Sequence, residues 1–146
     1  DDSFHCELLE NGVGATSRVE TFTETRASAV GGMLVPVDGL DSRVPSGDHQ
    51  IVDEYEVKLV AIDDFVESRS VERIDFLKID TEGSEFEILM NSKLLHKVKR
   101  IVGEYHNDLT EYHMQDLIQF LERNGFTIGK IKETNDMSGT FFASHK

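Results

Sequence analysis

Hydrophobic and polar positions alternate most clearly between Arg18 and Thr25. There Val19, Thr21 and Thr23 interleave with Glu20, Phe22 and Glu24, the pattern of a strand with one wet face. Phe4 to Glu10 reads as another strand, closed by the turn-forming pair Asn11-Gly12. Val57 to Ile62 predicts a third, followed by a short helical turn at Asp63 to Val66. The run Ile74-Asp75-Phe76-Leu77-Lys78-Ile79-Asp80 is mostly apolar and suits a strand buried on both faces of a parallel sheet. It leads through Thr81-Glu82-Gly83-Ser84-Glu85 into a helix with Phe86, Leu89, Met90 and Leu94 on one side. Arg100 to His106 is the next strand. The clearest helix spans about Thr110 to Asn124, where Leu117, Phe120, Leu121 and Asn124 share a face that Ile118 widens. Thr110 is its expected N-cap and Gly125 its left-handed stop. Two strands follow, Phe126 to Ile131 and Thr140 to Ser144, around a turn at Asn135-Asp136.

From Leu59 onward, strands and helices alternate, which predicts an α/β layer with a largely parallel sheet. The final two strands are joined too closely for a parallel crossover and are expected to be antiparallel. Between Ala27 and Gln50 the pattern stops. Pro36, Pro45 and Gly31, Gly32, Gly39 and Gly47 fall in this stretch, which reads as a long exposed loop, expected to be mobile or to act as a lid. No internal repeat or low-complexity segment is evident.

Composition narrows the function classes. With 146 residues, 38% hydrophobic and 29% charged, the chain has the size and make-up of one globular domain. Its net charge of −13 repels phosphate backbones and anionic lipid, so neither nucleic acid nor a membrane surface is an expected partner. A cationic ligand remains compatible. Cys6 is the only cysteine, which excludes an internal disulfide and a CxxC metal site. No apolar run approaches the ~20 residues of a spanning helix.

Two constellations could carry chemistry. Asp80 and Glu82 sit where an apolar strand becomes a helix, and in open α/β sheets ligands bind at the carboxyl ends of strands. A plain strand-to-helix turn accounts for the same residues, with Thr81 as cap and Glu82 and Glu85 favouring the positive helix end. Glu104 and His106 lie on one face of the following strand by alternation, and a parallel neighbour would bring them beside Asp80 and Glu82. Histidine titrates near neutrality and could take a proton from a hydroxyl, although a structural strand-end histidine fits the pattern as well. Weaker signals are Gly12-Val13-Gly14-Ala15, read as a turn rather than a phosphate loop, and the E-x-K triplet Glu56-Val57-Lys58. His5 beside Cys6 is too little for a zinc site, and no metal is expected.

Residues 74–89, Ile-Asp-Phe-Leu-Lys-Ile-Asp-Thr-Glu-Gly-Ser-Glu-Phe-Glu-Ile-Leu, closely resemble the D-x-E-G-x-E signature of FkbM-type methyltransferases. Val57 to Val66 is similar to that family's strand and L-D-D turn, with Ile62 in place of leucine. Arg100 to Asn107 resembles its I-x-E-x-H strand, and Leu117 to Phe126 its helix ending in L-x-x-x-G-(F/Y). The resemblance spans about residues 5 to 145 and is strongest from 57 to 126. It implies a Rossmann-like class I fold, strand order 3-2-1-4-5-7-6, that uses S-adenosylmethionine to methylate an acceptor hydroxyl on a small molecule or glycan. On that reading Asp80, Glu82, Glu104 and His106 are the catalytic set, with Val13, Gly14 and Asp80 toward the cofactor.

The family's opening strand, with its D-x-G-x-x-x-G cofactor loop, and the second strand with its ribose-binding acid have no counterpart here. The resemblance therefore implies the C-terminal part of the fold, a single partial domain over residues 1–146 that would not bind the cofactor well alone. Without the first strand, Ile74, Phe76, Leu77 and Ile79 would form an unpaired edge, to be covered by the Phe4 to Glu10 strand or by a second copy in a homodimer. Two other functions compete: a non-catalytic binding or assembly module, and a metal-dependent hydrolase using Asp80, Glu82, Glu104 and His106 as ligands. No residue names the compartment, and cytoplasmic is the default expectation.

Overall fold

The computed structural model of the protein describes residues 5–25, 51–81, 83–107 and 110–145. The expected mobile loop at 27–50 and Glu82 lie outside them. The described residues form a mixed α/β fold with two sheets and three α-helices.

The larger sheet carries β4 (Leu77–Ile79), β5 (Arg100–His106), β6 (Phe126–Glu133) and β7 (Ser138–His145) in the order β4-β5-β7-β6. β4 and β5 are parallel, with Ile79 opposite Gly103. β7 runs antiparallel to both β5 and β6, as the short connection between the last two strands requires. Along β5, Ile101, Gly103 and Tyr105 are buried while Val102, Glu104 and His106 are half-buried. One face of this sheet therefore meets the helices and the other is open.

α2 (Glu85–Asn91) and α3 (Met114–Arg123) cover the buried face. Phe86, Ile88 and Leu89 from α2 join Leu117 and Leu121 from α3, Ile101 and Tyr105 from β5, and Phe126, Phe141 and Ala143 in one cluster. Each fully buried Leu, Ile or Phe there contributes about 1.5–3 kcal/mol relative to an exposed one. Gly103 lies at its tightest point. A Cβ there would stand 2.5 Å from Phe141 Cε1 and 2.8 Å from Ile79 Cγ2. Gly103→Ala is therefore expected to cost about 1–3 kcal/mol by overpacking. Urea unfolding at unchanged m-value measures this, and an unmoved midpoint would mean that the Phe141 ring can step aside.

The smaller sheet has the order β1-β3-β2, from β1 (Gly12–Gly14), β2 (Arg18–Thr25) and β3 (Ile51–Ala61). Gly12-Val13-Gly14 is thus a strand parallel to β3, not the expected turn. The reason is steric, because a Cβ on Gly12 would come within 2.5 Å of Leu59 Cδ2 and one on Gly14 within 3.2 Å of Leu59 Cδ1. The glycines let the backbone lie against a buried leucine. β2 has the predicted bounds. Val19 is 61% exposed, while Phe22 pairs with Tyr55 across the ladder at 5.3 Å between ring centroids.

Several other expectations are corrected. Residues 5–10 form no strand, and all six are exposed. Leu8 has no surface to bury against, and the segment is instead tethered by Arg69, whose guanidinium donates to Glu7 Oε1 at 2.5 Å and Oε2 at 2.9 Å. That bidentate bond, more than the charge itself, holds the Glu7 carboxyl below its usual range. β3 pairs within the smaller sheet rather than joining β4, so parallel pairing in the larger sheet is confined to β4 and β5. The strand expected over Ile74 to Asp80 narrows to β4 plus a single bridge from Ile74 to Val98, with Phe76 half exposed. α3 starts at Met114, not Thr110. His113 occupies the N-cap position, its N–H donating to Asp116 Oδ2 at 2.9 Å. Gly125 does end the helix with φ +86°.

α1 (Ile62–Ser68) joins the two sheets. Asp63 in its first turn accepts from Ser92 Oγ at 2.5 Å and from the Lys93 N–H at 2.8 Å, tying the start of α1 to the end of α2. Among the described residues no helix is long and apolar enough to cross a membrane.

Candidate functional site

The carboxyl ends of β4 and β5 gather the chemistry. β4 stops at Ile79, and the chain turns through Asp80, Thr81 and Gly83 before α2 begins at Glu85. Gly83 has φ +104°, a backbone region that side chains disfavour, which accounts for glycine at this place in the turn. Ser84 holds the N-cap position of α2 without a side-chain cap bond. The expected Thr81 cap is absent, and its work is done from inside the helix. The Glu85 carboxylate folds back, Oε1 accepting the Thr81 N–H at 2.7 Å and Oε2 the Gly83 N–H at 3.0 Å.

Asp80 stands on the open side of this turn. Its Oδ2 accepts from Lys78 Nζ at 2.8 Å, so both lie on one face. The Lys78 ammonium is held above its ordinary range, chiefly by that hydrogen bond and further by the charges of Asp80 and Glu104. Glu104 follows Gly103, the partner of Ile79, and so lies level with Asp80 on the neighbouring strand. His106 ends β5. Its ring is 14% exposed and reaches back to Glu85, with Nδ1 3.6 Å from Oε1 of a carboxylate that is wholly buried. Thr81 Oγ1 is buried at the same turn and has no hydrogen-bond partner among the described residues. Asn107 then anchors α3 beside the strand end, its Oδ1 accepting the Met114 N–H at 3.0 Å.

Asp80, Glu104 and His106 therefore share one edge, and Glu82 lies outside the described residues. Val13 and Gly14 are elsewhere, in β1 of the smaller sheet. The residues just after them line a cavity of about 330 Å³ with Asp63, Asp64, Asn91 and Lys93. Ile88 and Asn91 of α2 line it as well, whereas Asp80 precedes the start of that helix. Glu56 and Lys58 of the E-x-K triplet lie exposed on β3. Among the described residues no group of three or more His, Cys, Asp or Glu is placed to hold a metal ion.

Two contributors escaped the sequence reading. Glu85 enters that reading only as the last residue of the D-x-E-G-x-E signature and as a charge favouring the helix end. Its signal is that Glu85, Ile88 and Leu89 follow the i, i+3, i+4 spacing of one face, which places a carboxylate at the head of the buried stripe. Asn107 sits in a quoted motif, but its partner Met114 is too far along the chain to infer.

A sheet edge presenting Asp80, Glu104 and His106 suits a cationic ligand beside a proton acceptor. The chain matches the family model of the methyltransferase FkbM domain over residues 7–128, well over half of its 146 residues. No curated protein and no solved structure matches it. The match takes in the D-x-E-G-x-E turn, its flanking strands and the smaller sheet, and the chain belongs to the FkbM methyltransferase domain family.

Proposed function

We propose that this chain forms part of an S-adenosylmethionine-dependent O-methyltransferase, with the reaction at the carboxyl ends of β4 and β5. The observation that carries the reading is the convergence of Asp80, Glu104 and His106 on that edge. The strand order β4-β5-β7-β6, with β7 antiparallel, supports a place in the 4-5-7-6 half of a Rossmann-like class I sheet.

S-adenosylmethionine, when bound, supplies an activated methyl on a sulfonium. The donor set fits that group, since the Asp80 and Glu104 carboxylates stabilise a positive charge nearby, and Thr81 Oγ1 offers a buried polar atom at the same turn. Asp80 and Glu104 would hold the cofactor's charged end beside the acceptor, and positioning of that kind is worth several kcal/mol of barrier. His106 takes the hydroxyl proton. Its Nδ1 lies 3.6 Å from the buried Glu85 carboxylate, which supports the ring as an oriented base. Glu82 joins this set by resemblance to the family signature, and the acceptor is a small-molecule or glycan hydroxyl.

Calorimetric titration with S-adenosylhomocysteine, and separately with Mg²⁺ and Mn²⁺, tests the assignment. In an enzyme that also supplies the cofactor loop, heat on adding S-adenosylhomocysteine that Asp80→Asn abolishes is the expected result, whereas the chain by itself is expected to give little. Saturable metal binding lost with Asp80 and His106, without nucleoside binding, would replace methyl transfer by metal-dependent hydrolysis.

A further inference from the structure

Among the described residues Glu85 is the buried charged one, 0% exposed. Burying a carboxylate is costly unless charge partners and hydrogen-bond donors surround it. Glu85 has both. Two backbone N–H groups of the turn donate to it, one to each oxygen, and the His106 ring faces the oxygen that also takes the Thr81 N–H. Its aliphatic stem continues the stripe of Ile88 and Leu89 into the core, so the helix fixes where the carboxylate stands.

We propose that Glu85 is a positioning residue that sets the Asp80 turn and the His106 ring together. Through Thr81 and Gly83 it locks the two peptides that carry the chain past Asp80. Through its contact with Nδ1 it favours the Nδ1–H tautomer of His106. A carboxylate that orients an imidazole in this way fixes which nitrogen acts as base. The 3.6 Å separation is an ion-pair distance just beyond hydrogen-bond length, and such contacts commonly tighten when a site is occupied. Because one carboxylate serves both partners, displacement of the turn moves the base as well. The catalytic half of this inference rests on the methyltransferase reading, whereas the structural half does not.

Long-range ¹⁵N–¹H correlation spectra of His106 in the ligand-free protein test it directly. The wild-type protein is expected to show mainly the Nδ1–H tautomer, whereas an unconstrained imidazole favours Nε2–H. Mainly Nε2–H in the wild-type protein would overturn the proposal, whatever any variant does. Glu85→Met keeps side-chain length and burial but no acceptor. Its His106 is expected to revert toward Nε2–H, and an unmoved tautomer in a folded Glu85→Met would also overturn it. In the active protein the same variant is expected to lower kcat roughly tenfold or more with little change in KM. A tautomer shift in a protein without methyl transfer would keep Glu85 as the orienting group and reject only the proposed reaction.

Discussion

His106→Ala is expected to lower methyl transfer by roughly 10²–10⁴-fold, the usual worth of a positioned general base. The melting transition should stay close to that of the wild type. The ring is mostly covered but ends a strand, and the β5–β7 ladder through Glu104 and Tyr105 is backbone-bonded without it. Asp80→Asn is expected to act in the same direction for a different reason. It removes the negative charge that faces the Lys78 ammonium and, on the proposed reading, the sulfonium. Initial-rate measurements on both variants, with circular dichroism as the folding control, separate the two roles. Loss of the base is rescued partly by raising the pH, whereas loss of the Asp80 charge is not. Turnover equal to wild type in both would take these residues out of the chemistry.

Phe141→Ala is expected to destabilise the fold by about 3–5 kcal/mol, a large share of the ~5–15 kcal/mol that holds a domain together. Phe141 is 1% exposed in the middle of β7, paired to Gly103 on one side and Ile131 on the other. Its ring fills the space left by the missing Gly103 side chain. When it is removed, that side of the cavity has no side chain able to fold in, so little of the lost packing is recovered. Phe141→Leu should cost less. Chemical denaturation of the two variants gives the comparison, and a loss under ~1 kcal/mol in Phe141→Ala would mean the site collapses around the smaller residue.

The elements with strong local signals were legible. β5 and α3 each carry an apolar periodicity that tertiary context reinforces, and Gly125 marks the helix end by its own backbone preference. The edge formed by Asp80, Glu104 and His106 follows from two strands being parallel neighbours, which alternation of strand and helix predicts. Pairing across long separations was not legible. β3 reads like a strand of the main sheet, but its partners Gly12–Gly14 and Arg18–Thr25 lie some forty residues earlier, and the choice among partners is made by Leu59 finding two glycines to lie under. Leu8 and Leu9 look like strand residues until the fold leaves them nothing to cover. Glu85 was hidden by its type, because a glutamate at a helix start is ordinarily a surface charge, and only the finished packing reveals it as buried.

The separation of the two sheets also has a consequence for how the molecule opens. Leu59, Ala61 and Val66 are buried, but they lie outside the cluster that binds β4, β5, β7, α2 and α3 into one core. The smaller sheet is joined to the rest by Asp63 on Ser92 and Lys93, by Ile62 against the main cluster and by β1 beside α2. Local opening free energies follow such divisions, with weakly joined units exchanging their amide protons through smaller fluctuations than the global core. β1, β2 and β3 thus form a unit that can fray and re-form while Ile101, Phe141 and Leu121 stay packed, so the strand-end edge with Asp80 and His106 keeps its geometry even when the other sheet breathes.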